Sequence, residues 1–196
     1  MGAKRKQVEL FNSHKDTFFT SIEDQSLAIE KKQLISWQLQ INTFQSKLFR
    51  NQYKYEKQFE LFSSENNSFK YEINPITIPA LPMNFWKWPK SYHTGPAIYF
   101  VMDRPKELKT PILLYIGETI AADKRWKGDH DCKEYLSSYS ECLSKVGLKY
   151  KITIRFWSDV PSATKERRSI EQKLIKRWQP PFNKETRERW ATPFTT

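Results

Sequence analysis

Two places in this sequence hold residue types able to take part in chemistry. In Leu114-Tyr115-Ile116-Gly117, a run of strand character, a period of two puts Tyr115 and Gly117 on one face. A glycine two residues beyond a tyrosine leaves open space beside the hydroxyl. The helix expected next would bring free N–H groups and the positive end of its dipole near that space, which favours a phosphate. The plainer alternative is a tyrosine on a sheet edge beside a turn glycine. The second place is Glu171, which stands three, four and seven residues before Leu174, Ile175 and Trp178. On a helix that spacing sets its carboxylate at the border of the apolar face. A charge there needs a partner. Arg167 or Arg168, at i−4 and i−3, can supply an ordinary ion pair, or a divalent cation can take that role. Magnesium is commonly held by one or two carboxylates, waters and a substrate phosphate, so one well-placed Glu suffices.

The elements that must position these residues follow from pattern. Ala97 to Met102 and Ile112 to Gly117 are apolar, β-branched and aromatic runs of strand length, expected to pair as a hairpin. Thr119 to Lys127 reads as a short helix with Thr119 as N-cap, ended by Gly128; Cys132 to Val146 reads as a second, ended by Gly147. Leu148 to Trp157 alternates apolar and polar residues as a strand with one wet face. Ser162 would then cap a basic helix running to Trp178, with Pro180-Pro181 stopping it.

Upstream the punctuation is uneven. Between Gly2 and Pro75 there is neither glycine nor proline, whereas Pro75, Pro79, Pro82, Pro89 and Pro96 crowd the next stretch. Within the first part Thr20-Ser21-Ile22-Glu23-Asp24 offers a capping box. Leu27, Leu34, Ile41, Leu48, Tyr55 and Phe62 then recur every seven residues, with Trp37 and Phe44 between them, as in a helix burying one seam. Ile35, Leu39, Phe49 and Tyr53 widen that face, which points to docking on the second part ahead of a free coiled coil, with a homodimer through this helix as the other possibility. The stretch from Ser63 to Pro89 reads as a linker with an Asn66-Asn67 turn, one marginal strand from Phe69 to Ile73, and Trp86 and Trp88 either pinning it to the core or stacking on bases.

The 196 residues carry 33 Lys and Arg against 22 Asp and Glu, a net charge of +11, so nucleic acid leads the possible polyanionic partners. Residues 90–196 hold 21 basic and 13 acidic side chains, a net +8, against 12 and 9, a net +3, in residues 1–89. The charge thus gathers beside the proposed site. Lys165, Arg168, Lys173, Lys176 and Arg177 supply much of it, as a solvated helix face or as a stripe tracking phosphates. No apolar run approaches the ~20 residues of a membrane helix, and no apolar segment follows the basic start, so neither a membrane span nor a signal peptide is expected. Two cysteines, Cys132 and Cys142, exclude a disulfide framework and suit a reducing compartment, read as the cytoplasm. Neither these cysteines nor Asp129-His130-Asp131 match a common zinc spacing.

Five pieces in order, Ala97-Ile98-Tyr99, Tyr115-Ile116-Gly117, Arg125, Glu171 within Ile170-Glu171-Gln172, and Pro180-Pro181-Phe182-Asn183, resemble the successive motifs of the GIY-YIG nucleases. The resemblance spans about Pro96 to Asn183. Ala97 replaces the usual glycine, and the spacer from Phe100 to Leu114 is longer than usual. The resemblance implies an α+β fold with a three-stranded antiparallel sheet flanked by helices. It also implies a DNA endonuclease using Mg2+ or Mn2+. By the same resemblance Glu171 holds the metal, Arg125 stabilises the transition state, and Tyr99 and Tyr115 flank the attacking water. Tyr99 is then the general base and Tyr115 the donor that positions the water. An adjacent arginine and metal would lower a phenol's pKa from ~10. His130 lies near the family's histidine, Gly117 belongs to the second motif, and Asn183 ties the chain after the last helix to the site.

The resulting organisation is a helical N-terminal extension over residues 1–74, a proline-rich linker over 75–95, a nuclease-like domain over 96–185 and a tail over 186–196. A nucleic-acid-binding module that kept the fold and lost the chemistry is the alternative reading, with Ala97 and the longer hairpin in its favour.

Overall fold

A computed structural model describes residues 29–59, 73–87, 93–127 and 131–194. Its centre is strand β2 (Ala97–Asp103), every residue of which is buried. A strand so uniformly apolar must be covered on both faces. It pairs antiparallel with β3 (Ile112–Thr119) on one side and with β4 (Ile152–Trp157) on the other. A two-residue strand, β1 (Leu81–Pro82), adds to the far side of β4, giving the order β1-β4-β2-β3. The sheet therefore has four strands where three were expected. The extra one is short and contains a proline, tolerated at a sheet edge because its missing N–H costs no ladder bond there.

Helix α1 (Lys31–Phe59) runs before the sheet; α2 (Ala122–Arg125) and α3 (Asp131–Lys145) follow β3, and α4 (Thr164–Trp178) follows β4. One face of the sheet, with Tyr99, Val101, Leu114 and Phe156, packs on α1 and α3. The other, with Ile98, Phe100, Met102 and Ile116, packs on Ile170, Leu174, Ile175 and Trp178 of α4. In α1, Leu34, Trp37 and Ile41 are buried within the same chain, so the face that a two-stranded seam would need is already occupied. Its buried positions also include Gln38, which donates to the Tyr139 hydroxyl (2.7 Å), and Gln45. The capping box from Thr20 to Asp24, Leu27, Phe62, Phe69, Trp88, Asn66-Asn67 and Gly128 lie outside the described residues, as does the Tyr55 side chain. Ile73 is not in a strand, and the expected linker carries 3-10 turns at Pro75–Thr77 and Phe85–Lys87, with Phe85 buried edge-on to Phe156 (centroids 5.1 Å).

The expected caps differ in detail. Thr119 ends β3, its Oγ1 accepts from the Ala121 N–H (3.0 Å), and the helix that follows has only four residues. Ser162 lies ahead of the helix start, whose N-cap is Ala163; the Ser162 carbonyl accepts from Arg167 Nη1 (2.9 Å). At its other end α4 stops at Gln179, left-handed with φ 48°, ahead of Pro180-Pro181. Leu148 to Lys151 precede β4 outside the ladder; there the Lys151 N–H donates to the buried Asp103 carboxylate (2.8 Å).

β3 is the edge strand beside the candidate site, and side chains finish it. The register passes from Leu113 opposite Met102 to Tyr115 opposite Val101, leaving Leu114 as a bulge whose carbonyl accepts from the Phe182 N–H (3.0 Å). Gln45 accepts from the Leu113 N–H (2.8 Å) and donates to its carbonyl (2.9 Å). Asn183 does the same at Ile116, at 3.0 and 2.8 Å. Each satisfies a backbone group that a further strand would otherwise have taken.

Candidate active site

Tyr99 stands directly opposite Gly117 in the β2–β3 ladder. The space beside the glycine is not open, because the end of the Tyr99 ring fills it. A Cβ at Gly117 would overlap the Tyr99 Cζ and hydroxyl and come within 2.9 Å of Tyr115 Cε1. The two tyrosine rings stack with centroids 6.0 Å apart, and Trp126 meets Tyr99 edge-on at 5.8 Å. The missing side chain of Gly117 is therefore what lets two phenols share one face.

These phenols form a stacked pair with one cation beside it. Arg125, the last residue of α2, acts on the Tyr99 hydroxyl, and Tyr99 lies against Tyr115. Tyr99 is fully buried, whereas Tyr115 is half-buried. Both titrate above the ordinary phenol range, first because burial penalises the phenolate. Arg125 pulls both downward, but burial outweighs it. Cys132, fully buried behind them, is held as the thiol chiefly by burial.

Tyr115 opens onto a cleft of about 250 Å³ lined also by Glu171, Tyr135, Phe182, Asn183 and Lys184. The Glu171 carboxyl is pushed up to about 7, first by burial and then by the nearby Glu118 charge. Neither expected arginine pairs with it. Arg167 and Arg168 turn instead to Glu118, at 2.8 and 3.2 Å. Among the described residues Glu171 makes no ion pair. A half-buried carboxylate on a cleft that also holds Asp131 and Glu185 is a setting that a hard divalent cation fits, with Lys184 a basic side chain on the same wall.

The structure thus brings Tyr99, Tyr115, Gly117, Arg125, Glu171 and Asn183 together, although Arg125 touches the buried phenol and does not line the cleft. His130 lies outside the described residues. Lys165, Arg168, Lys173 and Lys176 are exposed on α4 and Arg177 is half-buried. At 100° per residue, Arg168, Lys165 and Lys176 lie about 60°, 120° and 140° round one side of the helix from Glu171, and Lys173 lies nearly behind it. The helix N-terminus after Gly117 gives no phosphate site, since α2 is a single turn. Sequence reasoning missed Glu118; its adjacency to Gly117 in a strand was the available signal.

No helix among the described residues is long and apolar enough to cross a membrane. Comparison with protein-family models, with curated proteins and with solved structures gave no match to this chain.

Proposed function

We propose that this chain is a metal-dependent DNA endonuclease of the GIY-YIG type, hydrolysing phosphodiester bonds in the cleft between Tyr115 and Glu171. The observation that carries this reading is the convergence of Tyr99, Tyr115, Arg125 and Glu171, from four separate elements, around one cleft and the stacked phenols beside it. Glu171 would hold Mg2+ or Mn2+, which when bound lowers the pKa of water and neutralises phosphate charge. Tyr115 faces the cleft and orients the attacking water. Tyr99 has no exposed surface, so the base role that the motif resemblance assigned to it passes to Tyr115, whose phenolate the bound cation would have to favour against burial, with Tyr99 stacked behind that ring. Arg125 would supply its fixed positive charge from beside Tyr99, behind the cleft wall. Asn183 anchors the cleft wall to β3. The basic flank of α4 would track the DNA backbone. Free cysteines Cys132 and Cys142 suit work in a reducing compartment such as the cytoplasm.

The full burial of Tyr99 favours a second reading, a nucleic-acid-binding module without chemistry. One experiment separates the two. The purified chain is incubated with supercoiled plasmid, linear duplex and single-stranded DNA, with Mg2+, Mn2+ or EDTA. Metal-dependent nicking or linearisation is the expected result. Salt-sensitive DNA binding with no cleavage under either metal would replace the nuclease with the silent module.

A further inference from the structure

One helical turn ahead of Glu171, α4 carries a charged cluster that the proposed chemistry does not use. Arg167 is fully buried, and its guanidinium donates to Glu118 Oε2 (2.8 Å), to the carbonyls of Pro161 (3.1 Å) and Ser162 (2.9 Å), and to Thr164 Oγ1 (3.4 Å). Arg168 donates to the other Glu118 oxygen (3.2 Å) from an exposed position. A guanidinium is sealed in this way only when its donors are matched, and its planar fork fixes the direction of each bond. The same Glu118 is a close neighbour of Glu171, whose carboxyl feels its charge.

We infer that Arg167 and Glu118 are positioning residues for Glu171: the bond between them fixes the rotation and register of α4 against β3, and so holds the Glu171 carboxylate at the cleft for a divalent cation. Arg167 and Glu171 are four residues apart and share one side of the helix, so the stretch of α4 that grips the Glu118 side chain is the stretch that carries Glu171. A slip of α4 by one residue would shift it 1.5 Å and turn it by 100°, carrying the carboxylate out of the cleft. The two arginines also neutralise Glu118, which leaves Glu171 as the acid that meets the cation. This inference rests on the nuclease reading for the presence of the metal.

The test measures Mn2+ binding to the full chain without DNA, by water-proton relaxation, alongside the Mg2+ concentration that gives half-maximal plasmid cleavage. Arg167→Lys keeps the charge and loses the fork. The double variant Arg167→Met with Glu118→Gln removes both partners without stranding a buried charge, and decides the matter where the single variant does not fold. Each folded variant is expected to bind Mn2+ about 10-fold more weakly, with a matching rise in the Mg2+ requirement and a near-normal rate at saturating metal. Loss of positive charge by itself would tighten cation binding, so weakening in these charge-conserving variants is the signature of lost position. Unchanged Mn2+ affinity in a folded variant overturns the inference. A wild-type chain that binds no Mn2+ and cleaves nothing is a different failure, that of the nuclease reading itself.

Discussion

Tyr115 and Glu171 reach the same cleft from opposite faces of the sheet, the tyrosine from the face covered by α3 and the glutamate from the helix on the other, with the edge strand β3 between them. Neither side chain can substitute for the other. Glu171→Gln keeps the shape and removes the charge, so the fold should be unchanged by circular dichroism while plasmid cleavage drops ~100-fold, the scale for losing a charge at the transition state. A variant that cleaves at the wild-type rate would remove Glu171 from the mechanism.

The pH dependence has a definite sign. The folded Glu171 pKa, about 7, is above the ordinary value of 4.5, so in metal-free protein the folded state binds the proton more tightly than the unfolded one. That contribution is fully present below pH 4.5 and is lost as pH rises to about 7. Glu171→Gln should therefore melt higher than wild type in EDTA at pH 8, with the gap closing toward pH 4.5. Metal competes with the same proton, so the apparent Mn2+ affinity of wild type should decline about tenfold per unit below pH 7.

Burial orders the phenols by role, Tyr115 on the cleft and Tyr99 behind it. Tyr115→Phe removes the hydroxyl on the cleft and is expected to lower the single-turnover rate ~100-fold. Tyr99→Phe leaves that hydroxyl and removes its support, so a loss of ~10-fold is expected. Arg125→Ala should cost ~100-fold with the fold intact. A larger loss for Tyr99→Phe than for Tyr115→Phe would return the base role to Tyr99.

Gly117→Ala tests the packing on which both phenols depend. The added methyl overlaps the Tyr99 ring and crowds Tyr115, and both rings are enclosed. Thermal melts should show a loss of about 1–3 kcal/mol, typical of overpacking, together with cleavage reduced at least tenfold.

Salt titrations should divide the basic residues of α4. Lys165→Ala and Lys176→Ala, about 120° and 140° round α4 on the Arg168 side of Glu171, are each expected to weaken DNA binding and to flatten the log-log salt slope by about 1. Lys173→Ala, nearly behind Glu171, should change the slope less.

Much of this architecture was readable from side-chain pattern. The hairpin of β2 and β3, the helices α3 and α4, and the positions of Tyr99, Tyr115 and Glu171 on them follow from periodicity, because each element is long or strongly apolar enough to declare its period. What escaped was set by contacts between elements. The i−4 and i−3 rule nominated Arg167 and Arg168 as partners for Glu171, since it sees only one helix; their acid came from a strand 49 and 50 residues away. The heptad reading sought apolar residues in α1 and passed over Gln38 and Gln45, whose amides are buried because they find specific partners. The space beside Gly117 was read as empty, because cross-strand register, shifted here by the bulge at Leu114, is not written in either strand alone. β1 was too short, and too much like a loop around Pro82, to register as a strand.

The outer rim of β3 is covered by amides drawn from α1 and from the segment after α4, so the sheet offers no continuous unpaired row there on which a second molecule can grow. Parts of the chain remote in order thus act as a guard against self-templating. Loss of that guard, by cutting away α1 or the stretch beyond Trp178, would convert a closed protein into one that recruits its own copies, visible as concentration-dependent light scattering.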